Sequence, residues 1–552
     1  MSVKPTTCAV AALTLLAGSA ATVNAQVFQR AIGIPSPERH FSIANTRDGG
    51  SITVGVRATD FEGEQFHIVK YDAFGVIDWE RTFGGEGPDI AYSVQQTEDG
   101  GYIIAGESKS FSPAAAPVPF EIVLLRLDAA GGFVWANAYP GTFMTDPIHT
   151  PAPGVALDQA PDGRIFVVGN NAGLATLLSV DPAGALVLAT TYADPFGPQE
   201  GSQFAFTDVE FDPSDEFGVD DGSVVISGTT RYVDFDNPNP HGADNRRQDA
   251  FLFRAASRGA PLSPLHLFDW PDDFSNPDLP NVWETGDGLD RLPEGTIVLA
   301  GRTDFGLRGG PSGTHLVHVD PTFTPFWGRD FATMTPNGER ASVQTAYAAV
   351  EYDPFRDLFI QAGRVDNADS FNAQMQATDL SGAPLWAFAY GANLFARGES
   401  IQPKETCGYA MTGTVRSTAA AGDVYLVKTA DDGKSGYLER ELAPEPIADP
   451  FCLERNVVSQ RRREFIQLPD VLRVSDSNNT AFCFDDACPG EPMGCNDADL
   501  AAPFGVLDIA DVVAFLGAFG AMDPAADLAA PFGTWDIADV VAFLGLFGRG
   551  CP

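Results

Sequence analysis

The sequence predicts a mainly β protein, a seven-bladed β-propeller followed by a small α-helical module of two loop–helix repeats. Three observations predict it: a turn-and-strand pattern that recurs seven times, a second turn signature that ends in tryptophan, and a C-terminal segment that occurs twice nearly unchanged. The 56 glycines and 41 prolines among 552 residues favour a turn-rich body with few helices.

The first pattern is a tight turn followed by a β-branched or aromatic strand that ends in glycine. Its clearest copy reads DGGYIIAG at residues 99–106. Further copies lie at 48–55, 162–169, 221–228 and 294–301, and looser copies end at Gly363 and Gly413. Seven copies, spaced by roughly fifty to seventy residues, indicate a repeat protein.

The second pattern is Asp-x2-Gly-x3-Trp. Full copies end at Trp79, Trp135 and Trp386, and weaker versions lie around Asp181, Gly259, Asp320 and Gly433. One four-stranded sheet cannot bury both of its faces, whereas seven sheets in a ring bury them against each other. We therefore expect the propeller to span residues 26–446. A pair of stacked β-sandwich domains is the alternative, and seven matched copies disfavour it.

Two stretches in the first blades, FGG at 83–85 with DIAYSV at 89–94 and GYIIAG at 101–106, resemble a family of bacterial exported propeller-repeat proteins. The resemblance implies the propeller fold. It implies no single activity, because propellers serve many functions.

Residues 1–25 have the pattern of a secretory signal. Lys4 supplies positive charge, a mostly apolar run covers residues 8–21, and small residues precede a cleavage site after Ala25. No second apolar segment is long enough to span a bilayer. We therefore expect a secreted protein, extracellular or attached to a cell surface through another protein, without membrane insertion.

The charge balance excludes some classes of partner. There are 74 acidic residues against 34 basic ones, a net charge of −40. Such a field repels nucleic acid and anionic membrane surfaces. It suits a protein that holds divalent cations, and it also serves solubility alone.

The C-terminal repeat reads DLAAPFGVLDIADVVAFLGAFG at 499–520 and DLAAPFGTWDIADVVAFLGLFG at 527–548. The spacing of Ile509, Val512, Val513, Leu516 and Phe519 predicts one apolar helix face. Each copy places three carboxylates in a loop and in the first helical turn: Asp499, Asp508 and Asp511, then Asp527, Asp536 and Asp539. Calcium loops collect oxygen ligands in this way, so we expect these six residues to bind calcium. Capping of two helices by the same acids is the alternative.

The segment from Cys495 to Pro552 resembles a dockerin, the duplicated calcium-dependent module that binds a cohesin, and more closely a GC-type dockerin at the C-terminus of exported planctomycete proteins. The resemblance implies anchoring of the attached body to a cohesin-like or other surface protein. The loops lack side-chain ligands at their third and fifth positions, Ala501 and Pro503 in the first copy. Carbonyl groups and water would therefore complete any calcium site.

Six cysteines follow the signal, and their even number in an exported protein favours disulfides. They are Cys407, Cys452, Cys483, Cys488, Cys495 and Cys551. Connectivity is open, although Cys495 and Cys551 bracket the tandem and would form a clasp around it. Residues 447–494 are expected to be a cysteine-containing linker or a small β segment.

The sequence contains no nucleophile elbow, zinc-protease motif, phosphate loop or dinucleotide fingerprint. Two functions therefore stay open. One is a non-catalytic propeller that recognises a glycan or a protein and is displayed through the C-terminal module. The other is a polysaccharide hydrolase or lyase that the same module delivers to a complex.

Overall fold

The protein is described by a computed structural model. It describes residues 27–482, except 34–36, 60–62, 111–119, 140–154, 172–173, 197–202, 215–221, 234–245, 270–282, 305–311, 335–348, 367–370, 392–393, 406–407, 417–421, 437–438, 447–450, 456–457, 463–465, 468–472 and 476–479, together with 512–516, 519, 540 and 543–544. The predicted signal segment and the side chains of all the cysteines lie outside the described residues. The chain divides into two compact units, Met1–Cys483 and Phe484–Pro552.

The first unit is a ring of seven four-stranded antiparallel blades, which confirms the predicted propeller. One parallel pair, Gln248 with Trp283, joins blades 4 and 5 into a single sheet. The innermost strands of neighbouring sheets contact each other all the way round, from the first blade to the seventh and back to the first. Blades 1 to 3 consist of β2 Glu38–Asn45, β3 Ser51–Thr59, β4 Gly63–Tyr71, β5 Ile77–Gly84; β6 Asp89–Gln96, β7 Tyr102–Ser108, β8 Glu121–Leu127, β9 Phe133–Tyr139; and β10 Val155–Gln159, β11 Ile165–Asn171, β12 Leu174–Val180, β13 Leu186–Ala193. Each begins with its innermost strand.

Blades 4 to 7 repeat this order. They consist of β14 Gln203–Asp212, β15 Ser223–Val233, β16 Arg246–Ala256, β17 Leu265–Asp269; β18 Trp283–Arg291, β19 Ile297–Asp304, β20 Ser312–Val319, β21 Pro325–Met334; β22 Ala349–Asp353, β23 Leu358–Asp366, β24 Phe371–Asp379, β25 Pro384–Tyr390; and β26 Phe395–Pro403, β27 Tyr409–Arg416, β28 Asp423–Lys428. The fourth strand of blade 7 comes from the other end of the body. Strand β1, Phe28–Gly33, pairs antiparallel with β28 and closes the ring.

A belt of short strands runs round the outside of the propeller. It comprises β29 Arg440–Glu441, β30 Ala443–Pro446, β31 Phe451–Arg455, β32 Val458–Arg462, β33 Ile466–Gln467, β34 Arg473–Ser475 and β35 Thr480–Phe482. These strands pair antiparallel with the outer strands of blades 6, 5, 4, 3, 2, 1 and 7 in that order. The belt therefore gives every blade a fifth strand and covers seven sheet edges that would otherwise be unpaired.

The tryptophan signature joins neighbouring blades. The Trp79 ring of blade 1 lies 3.0 Å from the point where a Cβ on Gly131 of blade 2 would stand. Gly131 has a positive φ of 76°, which a turn residue with a side chain adopts only at a cost. The same packing occurs between Trp135 and Gly184, and between Trp386 and Gly433. The tryptophan of one motif therefore packs on the turn glycine of the next blade. Each motif takes part in two contacts, through its glycine with the preceding blade and through its tryptophan with the following blade.

Blade 5 departs from this rule. At the turn position that is glycine in the other blades it has Phe323, which is fully buried and has a positive φ of 68°. Blade 4 has no tryptophan on its outer strand, and His266 lies there instead. The rings of His266 and Phe323 meet edge to face with their centroids 5.1 Å apart. Phe323 of blade 5 therefore supplies the aromatic ring that blade 4 lacks at this contact.

The second unit is described only in part. Residues 512–516 and 519 in the first copy, and 540 and 543–544 in the second, are helical. Phe515 stacks on Phe543 with centroids 4.1 Å apart, and both are buried. The predicted apolar face omitted Phe515, which is buried, and included Val513 and Leu516, which are exposed. The prediction of that face was therefore wrong at these three positions. Among the described residues no helix is long and apolar enough to cross a membrane.

Candidate functional site: the axial channel

The seven innermost strands surround a channel on the propeller axis, with a cavity of about 480 Å³. Residues from all seven blades line it. A propeller places its inner strands side by side with their free edges towards the axis, so the residues of these strands decide what the channel can bind.

Strand register places one residue of each blade in a ring. Each ring residue pairs with the residue three positions before the glycine that ends the repeated turn-and-strand pattern. The ring residues are Ala44, Gln95, Asp158, Glu210, Asp290, Glu351 and Gln402. Four of the seven are acids and two are amides. The sequence repeat that builds the blades therefore also collects carboxyl groups at one level of the channel.

Part of this acidity has a structural role. The backbone N–H of Phe211 in blade 4 donates to Oδ2 of Asp158 in blade 3 at 2.6 Å. The N–H groups of Leu289 and Tyr352 donate in the same way to Asp208 and Asp290 of the preceding blades. These carboxylates pair donors on the exposed edge of the next inner strand, which would otherwise lack partners.

Glu210 and Glu351 do not take part in these backbone contacts. Glu351 accepts one hydrogen bond, from Nε2 of Gln402 at 2.7 Å. Within the described residues the Glu210 carboxyl has neither a hydrogen bond nor an ion pair. The two glutamates are the ring acids whose carboxyl groups are least committed to holding the blades together.

Burial and mutual repulsion keep these carboxyl groups protonated to unusually high pH. Desolvation, followed by the neighbouring carboxylates, raises the pKa of both Glu210 and Glu351 well above the ordinary value. Desolvation likewise raises the pKa of Asp208 to about 7 and that of Asp290 to about 6. The channel therefore takes up protons at a pH where exposed acids have lost them.

A second level of the channel lies at a β-bulge in the inner strands. The bulge places Phe41, Tyr92, Asp287 and Glu399 at equivalent positions in blades 1, 2, 5 and 7. The rings of Phe41 and Tyr92 lie 5.3 Å apart and are partly exposed. Asp287 and Glu399 are buried, and all four residues line the cavity. This level therefore has an aromatic side and an acidic side.

A buried polar cluster lies within blade 1, away from the channel lining. Arg57 forms ion pairs with both Glu38 (2.5 Å) and Glu80. Nε2 of His67 lies 2.8 Å from Oε1 of Glu80, and its Nδ1 lies 2.9 Å from Nε2 of His40, both within hydrogen-bond distance. Glu38, His67 and Glu80 have ligand atoms close enough to hold a metal. Arg57 already supplies the positive charge there, so we interpret the cluster as structural.

The six aspartates predicted to bind calcium, Asp499, Asp508, Asp511, Asp527, Asp536 and Asp539, lie outside the described residues, as does the expected Cys495–Cys551 clasp. The calcium prediction therefore stays a prediction. Sequence reasoning missed the channel acids, because 74 acids offer too many pairs. Aligning the seven strands that precede the repeated turns would have found them. In each blade the ring residue lies opposite the residue three positions before the repeated glycine.

Comparisons with known proteins find distant similarity to solved structures. No family model matches the chain, and no curated protein matches it. The polysaccharide lyase Uly1 matches 74% of this chain with all of its own length, at 8% identity and a TM-score of 0.41. A protein of unknown function from Dyadobacter fermentans covers 63% of this chain and 96% of its own, at 11% identity and a TM-score of 0.37. The α-L-arabinofuranosidase Arb93A of Fusarium graminearum covers 61% and 92%, at 10% identity and a TM-score of 0.34.

Proposed function

We propose that the protein is a secreted recognition propeller that binds a saccharide in its axial channel and is displayed through its C-terminal tandem. The observation that carries the proposal is the pairing of aromatic and acidic sides at one level of an open channel. Phe41 and Tyr92 offer ring faces and edges for the apolar face of a sugar ring. Asp287 and Glu399 offer carboxylate oxygens that accept hydrogen bonds from its hydroxyl groups.

The tandem supports the display role. Leu516 and Leu544 occupy the same position in the two copies and are 58% and 57% exposed. Two equivalent exposed leucines on helices provide an apolar contact surface that a partner would cover. A cohesin-like partner is the occupant that the dockerin resemblance implies, and calcium at the six tandem aspartates would hold the loops that carry these helices.

The saccharide role is tested by affinity electrophoresis of the full chain through gels that contain a panel of plant, algal and bacterial polysaccharides. At least one polysaccharide is expected to retard the protein. Phe41→Ala and Tyr92→Ala are expected to lose that retardation, because they remove the stacking surface. Phe74→Ala is the matched control, since Phe74 is an exposed phenylalanine that does not line the channel. Equal retardation of all variants would place binding elsewhere.

A hydrolase is the second candidate, favoured by one observation. A general acid needs a carboxyl group that stays protonated near neutral pH, and the raised pKa of Glu210 and of Glu351 meets that need. Release of reducing ends from the same polysaccharides tests it. Turnover that disappears in Glu210→Gln or Glu351→Gln would make the protein an enzyme, whereas retention without turnover supports recognition alone.

A further inference from the structure

Four arginines lie at one mouth of the channel, in blades 6, 7 and 1. Arg39 and Arg397 stand near the beginning of the inner strands β2 and β26. Arg364 and Arg416 belong to the second strands β23 and β27, towards the end of each. Because the first and second strands of a blade are antiparallel, these positions lie at the same edge of the propeller. We call these four residues the arginine rim.

Phenylalanine rings lie beside the guanidinium groups of blades 6 and 7. Cζ of Arg364 lies 4.1 Å from the centroid of the Phe371 ring, and Cζ of Arg397 lies 5.9 Å from it. Phe371 meets Phe395 edge to face with centroids 5.1 Å apart, and Cζ of Arg416 lies 5.4 Å from the centroid of Phe395. A guanidinium group held against an aromatic ring keeps the planar fork of N–H donors that matches a carboxylate.

The rim adjoins the aromatic side of the channel level that we propose to hold a sugar. Cζ of Arg39 lies 5.9 Å from the centroid of the Phe41 ring, and Phe41 lines the cavity. Arg39 also forms an ion pair with Glu64 at 3.1 Å, but these two side chains are 48% and 39% exposed. An ion pair as exposed as this one contributes little to stability, so a ligand anion competes with Glu64 for the guanidinium group.

Glu399 connects the rim to the wall of the channel. Its side chain is 3% exposed, and its Oε1 lies 3.6 Å from Nη1 of Arg397. Desolvation raises the pKa of the Glu399 carboxyl to about 7, although the positive charges of three rim arginines act to lower it; these are Arg397, Arg39 and Arg364. Guanidinium groups from three blades therefore lie close enough to act on one carboxyl group at the mouth.

The local charge of the rim matters more to a ligand than the net charge of −40 does. At physiological ionic strength, exposed charges more than about 8 Å apart are largely screened, so an anion at the mouth responds mainly to the guanidinium groups beside it. Guanidinium groups bind carboxylates and other oxyanions through paired N–H donors. Because Arg39 stands beside an aromatic ring suited to a sugar face, the oxyanion that fits the rim is one carried by a saccharide.

We infer that the arginine rim binds the acidic group of an anionic saccharide, a uronate carboxylate or a sulfate ester, while the sugar ring stacks on Phe41. The inference rests on the proposed saccharide function and narrows it to acidic polysaccharides. The ligand oxygens would accept hydrogen bonds from the guanidinium groups of Arg39 and Arg397, and the sugar hydroxyls would reach the buried carboxyl of Glu399.

Affinity electrophoresis of the full chain with matched pairs of polymers tests the inference. One pair is polygalacturonate and its methyl-esterified form, and the other is a sulfated galactan and its desulfated form. In each pair the sugar stays and the charge is removed. The wild-type protein is expected to be retarded by at least one charged polymer, about tenfold more strongly than by its neutral partner. The pair that shows this difference distinguishes a carboxylate ligand from a sulfate ligand.

The contribution of the rim is tested with Arg39→Gln and Arg416→Gln together, since both arginines are exposed. This variant is expected to lose most of the difference between the charged and the neutral polymer. Arg258→Gln with Lys434→Gln is the matched control. It removes the same charge from exposed turns at the opposite edge of the propeller, so both variants have the same net charge in a gel without polysaccharide.

Stronger retardation by a charged polymer that the rim variant loses and the control variant keeps supports the inference. Equal retardation by the charged and neutral members of both pairs overturns it and leaves the saccharide function in place. Retardation that Phe41→Ala abolishes but the rim variant leaves unchanged overturns it in the same way. No retardation by any polysaccharide overturns the saccharide function and this inference together.

Discussion

Gln402 donates through Nε2 to Oε1 of Glu351 at 2.7 Å, across the boundary between the last blade and the one before it. Gln95 makes the equivalent contact with Asp158, Nε2 to Oδ1 at 2.8 Å, between blades 2 and 3. In both cases the amide N–H donates to a carboxylate oxygen at the same ring position of a neighbouring blade. Glu210 has no such amide beside it, and among the described residues its carboxyl group is the one in the ring without a hydrogen bond.

The pH dependence of stability should show the effect of burying these carboxyl groups next to one another. The pKa of Glu210 and of Glu351 is raised in the folded protein, so the folded state keeps protons that the unfolded chain has released. The free energy of unfolding should therefore fall as pH rises above about 4.5, the ordinary pKa of a glutamate. Glu210→Gln should flatten this slope and stabilise the protein by roughly 1 kcal/mol at pH 7.5. Urea denaturation at several pH values, with chelator present, measures it.

Glu294→Gln is the control for that series and should keep the wild-type slope, because Glu294 is exposed in the turn before β19. A wild-type free energy of unfolding that is level from pH 5 to pH 8 would show that the ring acids are not repelling one another.

Asp158 should matter for stability in a different way. It accepts from Nε2 of Gln95 and from the backbone N–H of Phe211, so it joins three blades. Asp158→Ala should lower the free energy of unfolding by about 1–3 kcal/mol, because it leaves two donors without an acceptor. Asp158→Asn keeps one acceptor oxygen and should cost less. If alanine and asparagine are equally mild in chemical denaturation, the inter-blade contacts contribute little.

The belt should protect the outer strands. A chain that ends at residue 439 lacks all seven belt strands but keeps the apolar clusters between the blades. We expect it to fold, with faster amide exchange in the outer strands β5, β9, β13 and β21, because their outward N–H groups lose main-chain partners. Hydrogen–deuterium exchange measures this. A chain that ends at residue 483 keeps the belt and should exchange like the full protein; equal exchange in both truncations would contradict the protection.

Calcium binding by the tandem is a separate prediction. Calorimetry of the full chain should show two calcium sites that Asp499→Ala with Asp527→Ala removes, because each substitution takes away the first carboxylate of one loop. If the variant takes up as much calcium as the wild-type protein, the tandem aspartates are helix caps instead.

The blades could be predicted from the sequence because each unit carries its own signals. Turns such as Asp99-Gly100 and the signature that ends at Trp79 are local, and seven copies confirm each other. Even the contact of Trp79 with Gly131 is encoded by the motif, although its role in joining two blades is visible only in the ring. Phe323 breaks the motif, and the reason lies in another blade, at His266.

The belt and the ring of channel residues could not be predicted in the same way. Belt strands of two to five residues, such as β33 and β34, are too short to show alternation, and their pairing depends on strands hundreds of residues away. The ring depends on strand register: Glu210 and Glu351 are 141 positions apart in sequence and share a level only because each stands opposite the same point of its own hairpin.

Crystals of the full chain soaked with an oligosaccharide of a polysaccharide that retards the protein test the role of the channel most directly. The account predicts sugar density on the propeller axis, in contact with the rings of Phe41 or Tyr92. Sugar density confined to the outer surface, with none in the channel, would contradict the account.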